Sequence, residues 1–177
     1  MKVFCKLFFV CLIAVPIASC GFRAGSSVLN SSEGVITKMS IPVFTNKTRR
    51  PGVETVITEA FTYEFKNTVE IVSDDSPEAE AIMVGTVMDY DIEPTSVDAN
   101  NIATAYRLLI SFNVKIVTPD GKVLWDDTIT DYEDFEVDRS DNSSRIIHTK
   151  DREWEVLKKM VRDRARIFKE FAVENFK

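Results

Sequence analysis

Between Thr104 and Thr118 the chain alternates without a break. Tyr106, Leu108, Ile110, Phe112, Val114 and Ile116 fall on one side, and Arg107, Ser111, Asn113 and Lys115 on the other. A period of two with one apolar and one polar side predicts a long antiparallel strand with a buried and a wet face. Pro119-Asp120-Gly121 then reads as a tight turn, because proline presets φ, aspartate bonds locally and glycine accepts positive φ. Residues 122–137 return as a partner strand, half exposed because of its many acids. Upstream, residues 81–94 predict a strand with Ile82, Val84, Met88, Tyr90 and Ile92 on one face, and Gly85 as a bulge or a point of close approach. Residues 35–44 alternate weakly and are rich in β-branched side chains. They read as the first strand, with Pro42 at an edge or strand end, and 68–72 reads as a short strand.

Two segments change the period. Val53, Val56, Ile57, Ala60, Phe61 and Phe65 follow the spacing of an amphipathic helix ending near Lys66, with Pro51 placed for its first turn. Trp154, Leu157, Val161, Ala165, Phe168, Ala172 and Phe176 make a second apolar stripe, with Thr149 as its expected cap and Asp151 and Glu153 in the first turn. The order strand, helix, four strands, helix implies an α+β fold. We expect a two-layer sandwich, two amphipathic helices packed on a mostly antiparallel sheet of four to five strands. The strand–helix–strand unit allows a parallel pair and hence a mixed sheet.

The N-terminus changes the picture of where this body sits. Lys2 and Lys6 precede an apolar run from Leu7 to Ala18 that closes on small residues, the pattern of a secretory signal. As a helix the run is too short for a bilayer of about 30 Å, and nothing later is apolar for long enough. Ile17-Ala18-Ser19-Cys20 resembles the bacterial lipobox, whose cysteine becomes the lipidated first residue. An ordinary signal followed by an incidental cysteine is the alternative. Cys5 and Cys11 leave with the signal, so Cys20 would stand alone, and lipidation resolves an otherwise orphan thiol. More than one acyl chain makes such an anchor stable. Gly21, where aspartate would favour the inner membrane, leans toward the outer one. We therefore expect a cleaved signal at 1–19, a lipidated N-terminus and flexible Ser/Gly/Asn-rich tether at 20–34, and a single domain at 35–177.

Charge and chemistry narrow the function. The formal net charge of −6 is uneven: eighteen acids face four bases between Glu70 and Asp141, and six face nine between Lys150 and Lys177. The two regions can pair with each other, or the basic end can receive an anionic partner. A secretion signal sets nucleic acid aside. The single histidine, His148, has no second histidine or mature cysteine pair to complete a zinc site. Asp126-Asp127 and Glu133-Asp134 are adjacent on a strand, so each couple splits across two faces rather than converging as an acid/base pair. With no nucleophile elbow or phosphate-binding glycine loop either, the residues point to a binding or structural module, not an enzyme, without metal or cofactor beyond the lipid on Cys20.

Taken in order, the lipobox, "IPVFTN", "RPGVE" opening a helix, "YRLLISFNVKIVTPDGK" and the following "LW" resemble the LPS-assembly lipoprotein family LptE. The resemblance runs over most of residues 20–175. It implies an outer-membrane, periplasm-facing lipoprotein that plugs the LptD β-barrel, supports assembly of that barrel and helps deliver lipopolysaccharide to the cell surface. It also implies a basic residue just before the last helix, matched by Lys150. A second base expected between the middle strands is missing from "TSVDANNIA", which shifts that contact to Arg107 or Lys122. Each of the three also fits an ordinary solvated or ion-paired side chain. "MSIPVFTNKT" looks as well like the opening strand of lipoproteins that activate a peptidoglycan synthase or build secretion pores. That is the alternative function.

Overall fold

The computed structural model describes residues 29–31, 34–137 and 145–175; of residues 145–148 and 175 only the backbone is described. Cys20, and with it the signal and lipobox, lies outside the described residues, as does Phe176. The elements are β1 (Leu29–Ser31), β2 (Gly34–Ile36), β3 (Lys38–Ser40), β4 (Thr45–Asn46), α1 (Val53–Phe65), β5 (Glu70–Val72), β6 (Ala81–Val97), β7 (Ala103–Val117), β8 (Val123–Glu136) and α2 (Arg145–Asn175). The fold is α+β, two helices with a mixed sheet of six strands rather than four to five.

The extra strand has a local cause. The segment expected as one strand at 35–44 is interrupted around Pro42, which has no N–H for a ladder. It gives β2, β3 and, beyond Phe44, β4. In the main sheet the order is β5-β3-β6-β7-β8, with β4 also on β6. β3 runs parallel to β5 and β6, and β4 is parallel to β6, while β6–β7 and β7–β8 are antiparallel. β1 and β2 form a separate antiparallel pair. Leu29 is fully buried there, so the folded body already includes residues within the stretch expected to be tether.

α1 begins and ends as its apolar spacing predicts, but its N-cap is Gly52 at φ 92°, placing Pro51 just outside the helix. Positive φ there explains the glycine. α2 starts at Arg145, so Thr149 lies inside the helix and is not its cap, and no acid occupies its first turn. The expected apolar stripe begins only at Trp154, so it does not reveal the roughly two turns of helix that precede it.

On β7 the expected face is buried from Leu108 to Ile116. On β6 the expected face is inverted at its start: Ala81, Met83 and Val87 are buried, whereas Val84 and Met88 are exposed. A register shift between Val87 and Asp89 inserts one residue, after which Tyr90 and Ile92 pack toward the core. A bulge reverses the phase of a strand, so a single alternation cannot describe both halves. Gly85 is indeed a point of close approach: a Cβ there would sit 2.0 Å from Phe44 Cδ2.

The core lies between the helices and one sheet face. Phe61 meets Phe44, Phe112 and Phe168 at ring-centroid distances of 5.5, 6.0 and 5.5 Å, so α1, α2, the turn after β3 and β7 share one aromatic centre. Among the described residues β8 is an edge of the sheet, fourteen residues long, with six carboxylates along it.

Candidate functional site

Among the described residues, no helix covers the opposite face of β6–β7–β8. Its side chains form a polar ladder. Arg107 donates through Nε and Nη2 to both oxygens of Asp134 at 2.7 and 2.9 Å, and its guanidinium lies 4.7 Å from the Tyr132 ring centroid. The Ser111 and Thr130 hydroxyls are 3.0 Å apart. Asn113 donates to Asp126 Oδ1 at 2.7 Å, and Lys115 Nζ lies 2.8 Å from Asp126 Oδ2. The hydrogen bond from Arg107 holds the Asp134 carboxyl below its ordinary range, and Lys115, then Asn113, do the same for Asp126. Adjacent positions on a strand point to opposite faces, and the acid couples divide as expected. Asp126 and Asp134 join the ladder, while Glu133 faces α2 and bonds Lys159 at 2.7 Å.

Along the β8 edge the other face meets α2. Arg164 donates to Asp131 through Nε and Nη2 at 2.6 and 2.8 Å. Two adjoining hollows of about 350 and 450 Å³ share Arg164 and Ile167; the first is walled by Ile129, Phe168 and Phe171. Among the described residues no group of three or more His, Cys, Asp or Glu is gathered as a metal ion would require. Nor is any described helix long and apolar enough to cross a membrane.

A buried polar junction joins α2 to the sheet and the loop before α1. Glu153 is only 4% exposed. It accepts from the Tyr90 hydroxyl at 2.5 Å and from Arg50 Nη2 at 2.6 Å, and Arg50 lies 5.4 Å from the Trp154 ring centroid. Burial, followed by the neighbouring Glu153 carboxylate, pushes the Tyr90 phenol up, so Tyr90 is a donor at every ordinary pH. Sequence reasoning placed Glu153 in the first turn of the last helix, as a carboxylate favoured there by the macrodipole. Only the bulge that turns Tyr90 inward, and an arginine far upstream, reveal its true setting.

The structure does not bring Lys150, Arg107 and Lys122 together. Arg107 is on the uncovered sheet face, and Lys150 is exposed on α2, across the sheet. Lys122 lies at the β7–β8 turn, where its N–H donates to Thr118 Oγ1 at 3.1 Å. From Arg107 to that turn is on the order of 35 Å of strand. The side chain of His148 lies outside the described residues.

Comparison with known proteins adds the following. Residues 36–168 match the family model LptE, described as lipopolysaccharide-assembly. A search of curated proteins found no match. Among solved structures the chain is similar to rare lipoprotein B from Shewanella oneidensis, at 17% identity, covering 77% of this chain and 94% of that one, TM-score 0.45. It is also similar to a minor lipoprotein from Acinetobacter baumannii, at 16% identity, 80% and 93% coverage, TM-score 0.45. A third likeness is the PelC dodecamer from Paraburkholderia phytofirmans, at 16% identity, 54% and 71% coverage, TM-score 0.45. The family match spans β3 to β8, all of α1, α2 as far as Phe168 and the whole polar ladder, and on it this chain belongs to the LptE family of non-enzymatic lipopolysaccharide-assembly lipoproteins.

Proposed function

We propose that the chain loses residues 1–19, is lipidated at Cys20 and sits on the periplasmic side of the outer membrane as the plug of an LptD-type β-barrel. There it supports barrel assembly and assists delivery of lipopolysaccharide to the cell surface. The observation that carries this reading is the uncovered ladder on β6–β8. The lumen of an outer-membrane barrel is polar. A body that fills it needs a rigid polar face whose groups are already satisfied, because each unpaired polar group buried on docking is penalised. The pairs Arg107–Asp134, Ser111–Thr130 and Lys115–Asp126 meet that need. Arg107 is thereby committed to Asp134, which leaves exposed Lys150 as the better contact for a lipopolysaccharide phosphate.

Affinity purification of the full chain from detergent-solubilised outer membrane tests the assignment. A one-to-one complex with a β-barrel is expected. Recovery of a peptidoglycan synthase, or of a homo-oligomeric pore, overturns it. Intact-mass analysis should find a mature chain beginning at an acylated Cys20, and Cys20→Ala should release the protein from membranes. Lys150→Glu should weaken binding of purified lipopolysaccharide while leaving the circular dichroism melt unchanged. Unaltered binding removes Lys150 from the site.

A further inference from the structure

The loop leading into α1 carries Lys47, Arg49 and Arg50 in a chain of net charge −6. Its shape is set by side chains that bond its own backbone. Asn46 Oδ1 accepts from the Thr48 N–H and hydroxyl, both at 2.8 Å, and Asn46 Nδ2 donates to the Arg50 carbonyl at 2.8 Å. Thr48 Oγ1 accepts from the Arg50 N–H at 3.1 Å. Wound this way, the segment turns Thr48 and Arg50 partly inward and leaves Lys47 and Arg49 exposed. Arg50 then fastens the loop to α2 through Glu153 at 2.6 Å, and Gly52 lets the Trp154 ring pack close by. Lys150 precedes Glu153 by three residues, about 4.5 Å along the helix axis and roughly 60° round it. The exposed cations of the loop and Lys150 therefore flank one strut.

The charge of these cations is unspent, in contrast to the cations of the ladder and of the seam between β8 and α2. Arg107, Lys115, Lys159 and Arg164 are each matched to a carboxylate. Lys47, Arg49 and Lys150 have no ion pair with any described residue. The buried acid between them, Glu153, is already engaged by Arg50 and Tyr90, and Glu54 accepts from Asn46 and the Gly52 N–H. Three unneutralised cations held around a rigid strut, on an otherwise acidic body, suit a ligand bearing several phosphates.

We infer that Lys47 and Arg49, together with Lys150, form the face that receives the phosphorylated headgroup of lipopolysaccharide, with the Arg50–Glu153 pair fixing the spacing between loop and helix. The inference rests on the lipopolysaccharide-delivery reading above and adds the loop as its second half. Arg49 supplies a planar fork for bidentate phosphate contact, and the two lysines act as point charges.

The test uses the purified full chain and its Lys47→Glu/Arg49→Glu and Lys158→Glu variants, the last reversing an exposed lysine two turns along α2. Binding is measured to purified lipopolysaccharide, to the same material dephosphorylated, and to phosphatidylglycerol vesicles, with a melt recorded for each variant. The loop double variant should lose about tenfold or more in affinity for intact lipopolysaccharide, melt as the parent does, and lose nothing further on dephosphorylated material. Lys158→Glu should bind as the parent does. If the parent binds and the loop variant binds equally well, the loop is not part of the site, while the delivery reading stands. If the parent does not bind lipopolysaccharide at all, both fail. Equal loss with phosphatidylglycerol would make the face a general anionic-surface contact and overturn the assignment to lipopolysaccharide. Should the double variant melt early, Lys47→Gln/Arg49→Gln replaces it, with the same affinity loss expected and parental affinity again excluding the loop.

Discussion

At the scale of single residues, two positions carry more than their type suggests. Gly85 leaves room for the Phe44 ring, itself only 2% exposed and packed on Phe61. Gly85→Ala should cost about 1–3 kcal/mol through overpacking, read as a lower urea midpoint with an unchanged slope. Glu153 holds Arg50 and Tyr90 in a buried junction. Glu153→Ala strands the Tyr90 hydroxyl and part of the Arg50 guanidinium, and should destabilise by about 1–3 kcal/mol. Adding Tyr90→Phe should then cost little more, because the orphaned hydroxyl is removed with it; a double-mutant cycle that is additive would contradict this. The close approach at Gly85 could be anticipated from a glycine inside a strand pattern. Its partner Phe44 could not, since that contact joins β6 to the turn after β3, about forty residues away in the chain. Glu153 was invisible for the same reason. Three residues distant in sequence converge there, and a lone acid in a helix reads as solvated.

Elements were legible where their pattern was uninterrupted. The alternation of β7 and the helical spacing of α1 and α2 gave faces that the burial repeats, because one period holds along each. β6 defeated the same reasoning. Its bulge after Val87 shifts the register, so Met83 is buried and Val84 is exposed. A pair of substitutions separates the two phases. Met83→Ala should cost about 2–5 kcal/mol and Val84→Ala within about 0.5 kcal/mol, by equilibrium urea unfolding. The reverse ranking would restore the unbulged phase. The parallel pair of β3 with β5 across α1 was legible from the strand–helix–strand order, but the parallel pairing of β3 and β4 with β6 was not, since three and two residues offer no period.

For the whole molecule, a carboxylate adds to the backbone ladder that ties β3 into the sheet. Glu80 accepts from the Thr37 and Lys38 N–H groups at 2.6 and 3.2 Å and from the Thr37 hydroxyl at 3.0 Å. The Thr37 N–H above all holds the Glu80 carboxyl below the usual value of 4.5. The ionised form is therefore favoured by folding. Its stabilisation is complete above that usual value and is lost as pH falls through the lowered one. Glu80→Gln should flatten the acid limb of stability in that window, measured by melting temperature against pH; an unchanged limb would take Glu80 out of acid unfolding. The uncovered ladder and the loop cations assign the two ends of the proposed task, one to the protein partner and one to the lipid. The edge strand β8 has a different consequence. Fourteen residues of edge backbone offer a neighbouring copy a strand to pair with, and the charged side chains along them, four carboxylates bound to cations and two not, keep that edge hydrated. An edge so charged is a poor seed for fibres, so crowding copies of this chain together need not join them sheet to sheet.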